Sequence, residues 1–475
     1  MSSFRSQSSR YLHHRSNFAS KSPTPTSPPP PLGELRQTID VDHLDDDAKE
    51  FSHLATISDV RTVASYSWVD KSGLGSTVLI PGLPPLWTPS KTATRLSEDS
   101  GTYFRDRNAA RYPKHPIEPG VVAGLRLAPD LPKEIDVVAC GSTIGNLLRF
   151  VRRQDAAFRI LVEKVGDTVF FIRRENSPTE LIPNVRGYGH AFPEANTTWE
   201  APVKGSSSHQ RLIRYRFGGL DFLVRFEADG YIKESGSLSP VIASTKTKAD
   251  PDVSVDSLAG LLSGVAVPTQ SVGSTTSLVI KEGGTLIDQH CIFDLKTRSI
   301  KSRFLKDHLD EQLPRLWISQ IPNFILAFHT TGVFMPADTE VKDVRSEVDK
   351  WERTHSQDLA RLAAFVHEII ELVSASDDSK FELRYGEIGK LEVHDQLPDA
   401  GDALSPEIAE QWKNLSAHAT GLRRGVQVDD SDLGCDEKYD RNWQDYDGNL
   451  DRESEDLDYT ACSAHDCGYC GKCPY

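Results

Sequence analysis

The sequence predicts an α+β fold: one domain over residues 50–390, a mixed sheet flanked by helices, with tails on both sides that build no core. Three observations carry this. Period-2 apolar segments crowd the middle of the chain, as half-buried strands do. A stretch at 344–375 instead repeats at helical spacing, with Leu359, Leu362, Phe365, Val366, Ile369 and Val373 on one stripe. Strands and helices do not alternate regularly, and no internal repeat is present, which argues against a βα-repeat architecture.

The elements follow in order. Residues 1–33 are rich in Ser, Pro and Arg and cannot bury a core, so a disordered arm is expected. Its lack of acids before Glu34 weakly resembles a mitochondrial transit peptide. "HLDDDAKEFSHL" (43–54) opens the ordered part with a short helix, and "STVLIPGLPPLWTP" (76–89) reads as a strand and a proline-stiffened loop. "DRNAARYPKHPIEP" (106–119) reads as loop. "IDVVAC" (135–140) is a strand, and "GSTIGNLLRFVRR" (141–153) a helix with Ser142 or Thr143 as N-cap. Hairpins turn at Gly166-Asp167 and Gly218-Gly219. Residues 238–277 are Ser/Thr/Gly-rich and read as a loop insertion. Strands follow at 277–284 and 291–299, a helix or loop leading into a strand at 316–334, the long helix at 344–375, and a last strand at 380–386. Residues 391–475 form an acidic tail carrying one capped helix, "SPEIAEQWKNL".

Charge is uneven. The net value is −15, which argues against bulk electrostatic binding of nucleic acid. From Asp395 to Tyr475 there are 19 acids and 7 bases, whereas Cys140 to Pro240 holds 14 bases and 11 acids. The acid belongs to the tail, and the middle is mildly basic. No apolar run reaches membrane-spanning length. Cys140 and Cys291 stand singly in apolar segments, which suits a reducing compartment, nucleus or cytoplasm.

Two strands spoil their pattern with charge. In "LVRFEADG", Val224, Phe226 and Ala228 point one way and Arg225, Glu227 and Asp229 the other. In "CIFDLKT", Phe293 and Leu295 oppose Asp294 and Lys296. A solvated sheet face would carry such pairs. So would a site for a hard divalent cation, which takes oxygen ligands, with Lys296 placed to hold a water or to steady developing phosphoryl charge.

The arrangement resembles the core of the PD-(D/E)XK nucleases, and in detail the DXO-like decapping exonucleases. The matching pieces run in the same order: "GYGHAFPE" with Glu194, "RFEAD" with Glu227 and Asp229, "FDLKT" with Asp294 and Lys296, and "LWISQ" with Trp317 and Gln320. The resemblance spans about residues 135–335. It implies a nuclease-like fold and an Mg²⁺- or Mn²⁺-dependent hydrolase of RNA 5′ ends. It implies Glu194, Glu227, Asp229 and Asp294 as metal ligands, and Lys296 and Gln320 as catalytic residues. The chain departs from the family where an arginine opens a helix: here the stretch reads "ACGSTIGN", with Gly141 in that place. Arg149, Arg152 or Arg153 would have to substitute, and Arg173, Arg174 and Arg186 could meet substrate phosphates or form surface ion pairs. The opposing expectation is a catalytically degenerate RNA- or protein-binding protein on the same fold, with partners recruited through the tails.

The tail ends with Cys462, Cys467, Cys470 and Cys473, spaced C-x4-C-x2-C-x2-C. A zinc site suits close thiolates, an iron–sulfur site fits the spacing in part, and redox-active or palmitoylated thiols would look the same. Prenyl diphosphate synthase chemistry is disfavoured, because "HLDDDAKEF" and "VDDSDLG" are not D-D-x-x-D motifs. His190, His209, His290 and His329 do not fall at ligand spacing.

Overall fold

The computed structural model describes residues 27–70, 76–183, 185–233 and 277–417. Most of the arm, nearly all of the 238–277 insertion and the four tail cysteines lie outside these residues. Regular structure runs from strand Leu35–Asp40 to helix Pro406–Ala417.

Among the described residues, eleven strands form the larger sheet. Across it lie Leu35–Asp40, Lys390–His394, Lys380–Glu387, Phe158–Val165, Thr168–Arg173, Val137–Cys140, Leu220–Glu227, Ser206–Phe217, Ser58–Val69, Ser76–Gly82 and Leu278–Gly284. Its centre is parallel, where Val137–Cys140 pairs with both Leu220–Glu227 and Thr168–Arg173; the flanks are hairpins and antiparallel pairs. The expected α+β mixed sheet is present, and so are both hairpins.

Both faces are covered. Helices Leu44–Phe51, Gly141–Val151 and Ser356–Ala375 bury one face around Ile144, Leu148, Phe150, Phe365 and Ile369. Helices Glu118–Leu127 and Pro406–Ala417 cover the other around Val121, Phe170 and Trp412. Burying this apolar area, at about 25 cal/mol per Å², is the main stabilising term.

A smaller sheet carries Ile292–Ser299, parallel to Asn323–Thr330, which pairs antiparallel with Val333–Asp343. Leu220–Glu227 leaves the larger sheet at Ala228-Asp229 and re-pairs as Gly230-Tyr231 with Ile292–Ser299. Glycine is required at this crossing. A Cβ on Gly230 would stand 2.4 Å from Phe293 Cζ and 2.6 Å from the Pro85 carbonyl oxygen.

Four sequence expectations are corrected here. The 344–375 segment is two helices, Arg345–Thr354 and Ser356–Ala375, parted at His355, whose ring accepts from or donates to its own chain at the Trp351 carbonyl (2.9 Å). The 380–386 strand is not the last, because Lys390–His394 follows and pairs with Leu35–Asp40. The 106–119 segment is not all loop: Asp106 caps helix Arg107–Arg111, and the segment's end enters Glu118–Leu127. The N-cap of Gly141–Val151 is Cys140, with no side-chain cap bond, rather than Ser142 or Thr143. Tertiary pairing decided the first two, and short polar helices carry little periodic signal.

Candidate functional site: a carboxylate–lysine cluster beside an arginine-lined cavity

The sheet crossing brings the two charged strands together. Asp229, at the corner, accepts the Leu295 N–H at 2.7 Å through Oδ2. Asp294 and Lys296 project from the same face of Ile292–Ser299, away from Phe293 and Leu295, which pack with Ile325 and Ala327. Lys296 Nζ lies 3.6 Å from Asp294 Oδ1. Asp294 is 1% exposed and Lys296 2%, so this is not a solvated sheet face. Burial pushes the Asp229 carboxyl up to about 7; the Asp294 charge adds to the rise, and Lys296, Arg315 and the Leu295 N–H oppose it.

A fourth group completes the cluster. Arg315, 4% exposed, donates through Nη2 to Asp294 Oδ1. Its helix, Leu313–Ser319, is buried along nearly its whole length. Trp317 of that helix packs edge-on against Phe217, and its indole N–H donates to Glu352 at 2.7 Å. Arg315 was legible only as the residue before "LWISQ"; an arginine in an otherwise apolar helical run was the available signal.

Other expected residues stand elsewhere. Gln320 ends the Arg315 helix in a left-handed conformation (φ 51°), and its Nε2 donates back to the Trp317 carbonyl at 2.6 Å. Glu194 is exposed in the first turn of Ala191–Asn196, near Tyr103. Asp99 caps that helix, accepting from His190 and Ala191 N–H at 2.8 Å each. His190 stacks flat on Tyr103 at 4.0 Å, and burial, with help from Arg107, pushes its ring down to about 4.

Glu227 turns to the other side of the strand, accepting from Gln210 Nε2 at 3.0 Å. It borders a cavity of about 30 Å³ lined by Arg105, Arg107, Arg173 and Arg225, with Cys140, Gly141 and Ser142 at the start of Gly141–Val151. Arg225 donates to Cys140 Sγ through Nη2 (2.9 Å) and Nε (3.3 Å), and to Gln210 Oε1 at 3.3 Å. The side chain that reaches the departed position is therefore Arg225, from the neighbouring strand. Arg149 sits in the last turn of its helix, donating to Asn146 at 3.2 Å. Arg152 meets Asp358 and Arg153 meets Asp42. Arg173 lines the cavity, tethered by Glu175 at 2.9 Å; Arg174 and Arg159 instead neutralise the fully buried Glu382. Two first-turn N–H groups without a side-chain cap, four guanidiniums and two acids, Asp106 and Glu227, make this cavity a place for an anion.

A divalent cation does not fit the carboxylate–lysine cluster as built. Among the described residues, no three His, Cys, Asp or Glu side chains gather where they could hold a metal ion. The Asp294 oxygen that would meet one takes Arg315 and Lys296 instead.

Fold and site together define an α+β protein of two mixed sheets with a carboxylate–lysine cluster at their junction. The chain belongs to the family described as a domain of unknown function (DUF8563), whose model matches residues 48–380. No curated protein matches it. Solved structures similar to it include S. pombe Rai1 in complex with 3'-FADP, 10% identical, TM-score 0.46, covering 76% of this chain and 99% of that one. Scheffersomyces stipitis Rai1, in complex with (3'-NADP)+ and calcium ion, is 9% identical, TM-score 0.49, covering 81% and 99%. K. lactis Dxo1, in complex with manganese, is 10% identical, TM-score 0.38, covering 78% and 96%. Among the described residues, no helix is long and apolar enough to cross a membrane.

Proposed function

We propose that the protein binds the phosphorylated 5′ end of an RNA, with the terminal phosphate in the arginine-lined cavity. The observation that carries this is the convergence of Arg105, Arg107, Arg173 and Arg225 on the uncapped start of Gly141–Val151. Guanidiniums and backbone N–H groups together match phosphate oxygens in charge and geometry. The cavity's 30 Å³ admits one small anionic group and not a base, which favours a monophosphate end. RNA as the bearer of that phosphate is supported by the "RFEAD" and "FDLKT" pattern and its resemblance to enzymes of RNA 5′ ends.

The test is binding of one short RNA carrying 5′-monophosphate, 5′-triphosphate or 5′-hydroxyl, followed by fluorescence anisotropy. The monophosphate form is expected to bind about tenfold or more tightly than the hydroxyl form, and Arg107→Ala and Arg173→Ala to erase most of that difference. Equal binding of all three ends overturns the reading.

Hydrolysis is the second reading, favoured by the convergence of Asp229, Asp294 and Lys296. The same RNAs incubated with Mn²⁺ or Mg²⁺ decide it. Cleavage that disappears in both Asp229→Ala and Lys296→Ala establishes an enzyme; no cleavage by the folded wild type leaves the binding protein.

A further inference from the structure

We propose that Arg315 supplies, as a fixed guanidinium, the positive charge that a divalent cation would bring to Asp229 and Asp294, and so closes this cluster to metal. The inference does not depend on the RNA reading.

Charge comes first. Among the described residues the cluster holds two carboxylates, Asp229 and Asp294, and two cations, Lys296 and Arg315. Adding a divalent ion to this buried set would leave an uncompensated charge of two in a low-dielectric interior. Without Arg315 the same set holds an excess of one negative charge, which a divalent ion and its waters can balance. Lysine can vacate a cation site by losing its proton; arginine cannot.

Mounting is the second point. An arginine on a mobile loop could swing away when metal arrived. Arg315 instead sits in a short buried helix, with Leu316, Trp317 and Ile318 in the core. Trp317 ties that helix to Arg345–Thr354 through Glu352 and through ring contact with Trp351 at 5.6 Å. Gln320 spends its amide on capping the same helix, and Gln289 Nε2 donates to the Ser319 and Gln320 carbonyls at 2.9 and 3.1 Å. The geometry therefore uses two expected site residues, Trp317 and Gln320, to hold the guanidinium in place.

The experiment is Mn²⁺ titration of the full chain, with free Mn²⁺ read by electron paramagnetic resonance. It compares wild type, Asp294→Asn, Arg315→Ala, Arg315→Gln and the double variant Arg315→Ala/Asp294→Asn. Background sites, for example in the acidic tail, cancel in the differences. The wild type and Asp294→Asn are expected to bind the same number of ions. Arg315→Ala and Arg315→Gln are expected to gain one site, at least tenfold tighter than any wild-type site that depends on Asp294, and the double variant to lose it. Mn²⁺ should also raise the melting temperature of the Arg315 variants and leave the wild type unmoved. Loss of a Mn²⁺ site from the wild type on Asp294→Asn overturns the proposal, because metal would then enter beside the arginine. So does the absence of any gained site in a folded Arg315 variant. Should neither Arg315 variant fold, the wild-type pair decides alone.

Discussion

Asp294 answers to two cations at once, and this makes it the most consequential single residue of the cluster. Removing its charge leaves Lys296 and Arg315 buried without their described carboxylate partner. Breaking a buried pair from one side typically costs about 3–5 kcal/mol. Asp294→Ala is therefore expected to lower the stability of the folded chain by about that amount in urea denaturation, and Asp294→Asn/Arg315→Met to recover much of it. Comparable midpoints for Asp294→Ala and wild type would show that the pair contributes little. His190 gives a pH-dependent case. Its folded-state pKa, about 4, lies below the ordinary histidine value. It binds fewer protons folded than unfolded, so its contribution is present above about pH 6.5 and is lost as pH falls through about 4. The melting temperature should fall over that window, and the slope should be shallower in His190→Phe, which keeps the stack on Tyr103. An unchanged slope sinks the assignment.

At the scale of elements, the site depends on a strand that changes sheets. Leu220–Glu227 is central and parallel in one sheet; three residues later Gly230 pairs with Phe293 in the other. The close approach of Phe293 and the Pro85 carbonyl leaves no room for a side chain. Gly230→Ala is expected to destabilise by about 1–3 kcal/mol, the range for overpacking, and to disturb the Asp229–Leu295 hydrogen bond. A melting temperature within a degree of wild type would refute this. The helix Pro406–Ala417 lies in the stretch the sequence assigns to the tail, yet it seals the larger sheet. Trp412 is fully buried there, and its indole N–H donates to Thr168 Oγ1 at 3.0 Å. Trp412→Ala should cost about 3–5 kcal/mol, measured by denaturation, whereas a solvated tail helix would show no change.

Across the whole molecule, charge is segregated. The chain carries a net −15 while its candidate anion cavity gathers four arginines. Attraction of a nucleic acid must then be local, and the acidic C-terminal residues oppose it. Binding of a 5′-phosphorylated RNA should weaken with salt with a modest slope, about 0.7 per phosphate contacted, which reports how many phosphates are held. Removing the residues after Ala417 should raise affinity at low salt and leave the slope per contact unchanged. A truncated chain that binds no better would show that the tail does not compete.

What the sequence determined by itself was local. Period-2 patterning marked the hairpins and the strand pairs, and the acids that broke it marked Glu227, Asp229, Asp294 and Lys296, because alternation puts i and i+2 on one face. It could not say that this face is interior, that Glu194 stands apart, or that one helix is two. Nor could it show that a strand neighbour, Arg225, would fill the place left at Cys140. Those outcomes belong to the tertiary structure. Burial, charge balance and the identity of a side chain's partner are set by residues far apart in sequence, as Arg315 and Asp294 show, and only the meeting of two sheets brings them within reach.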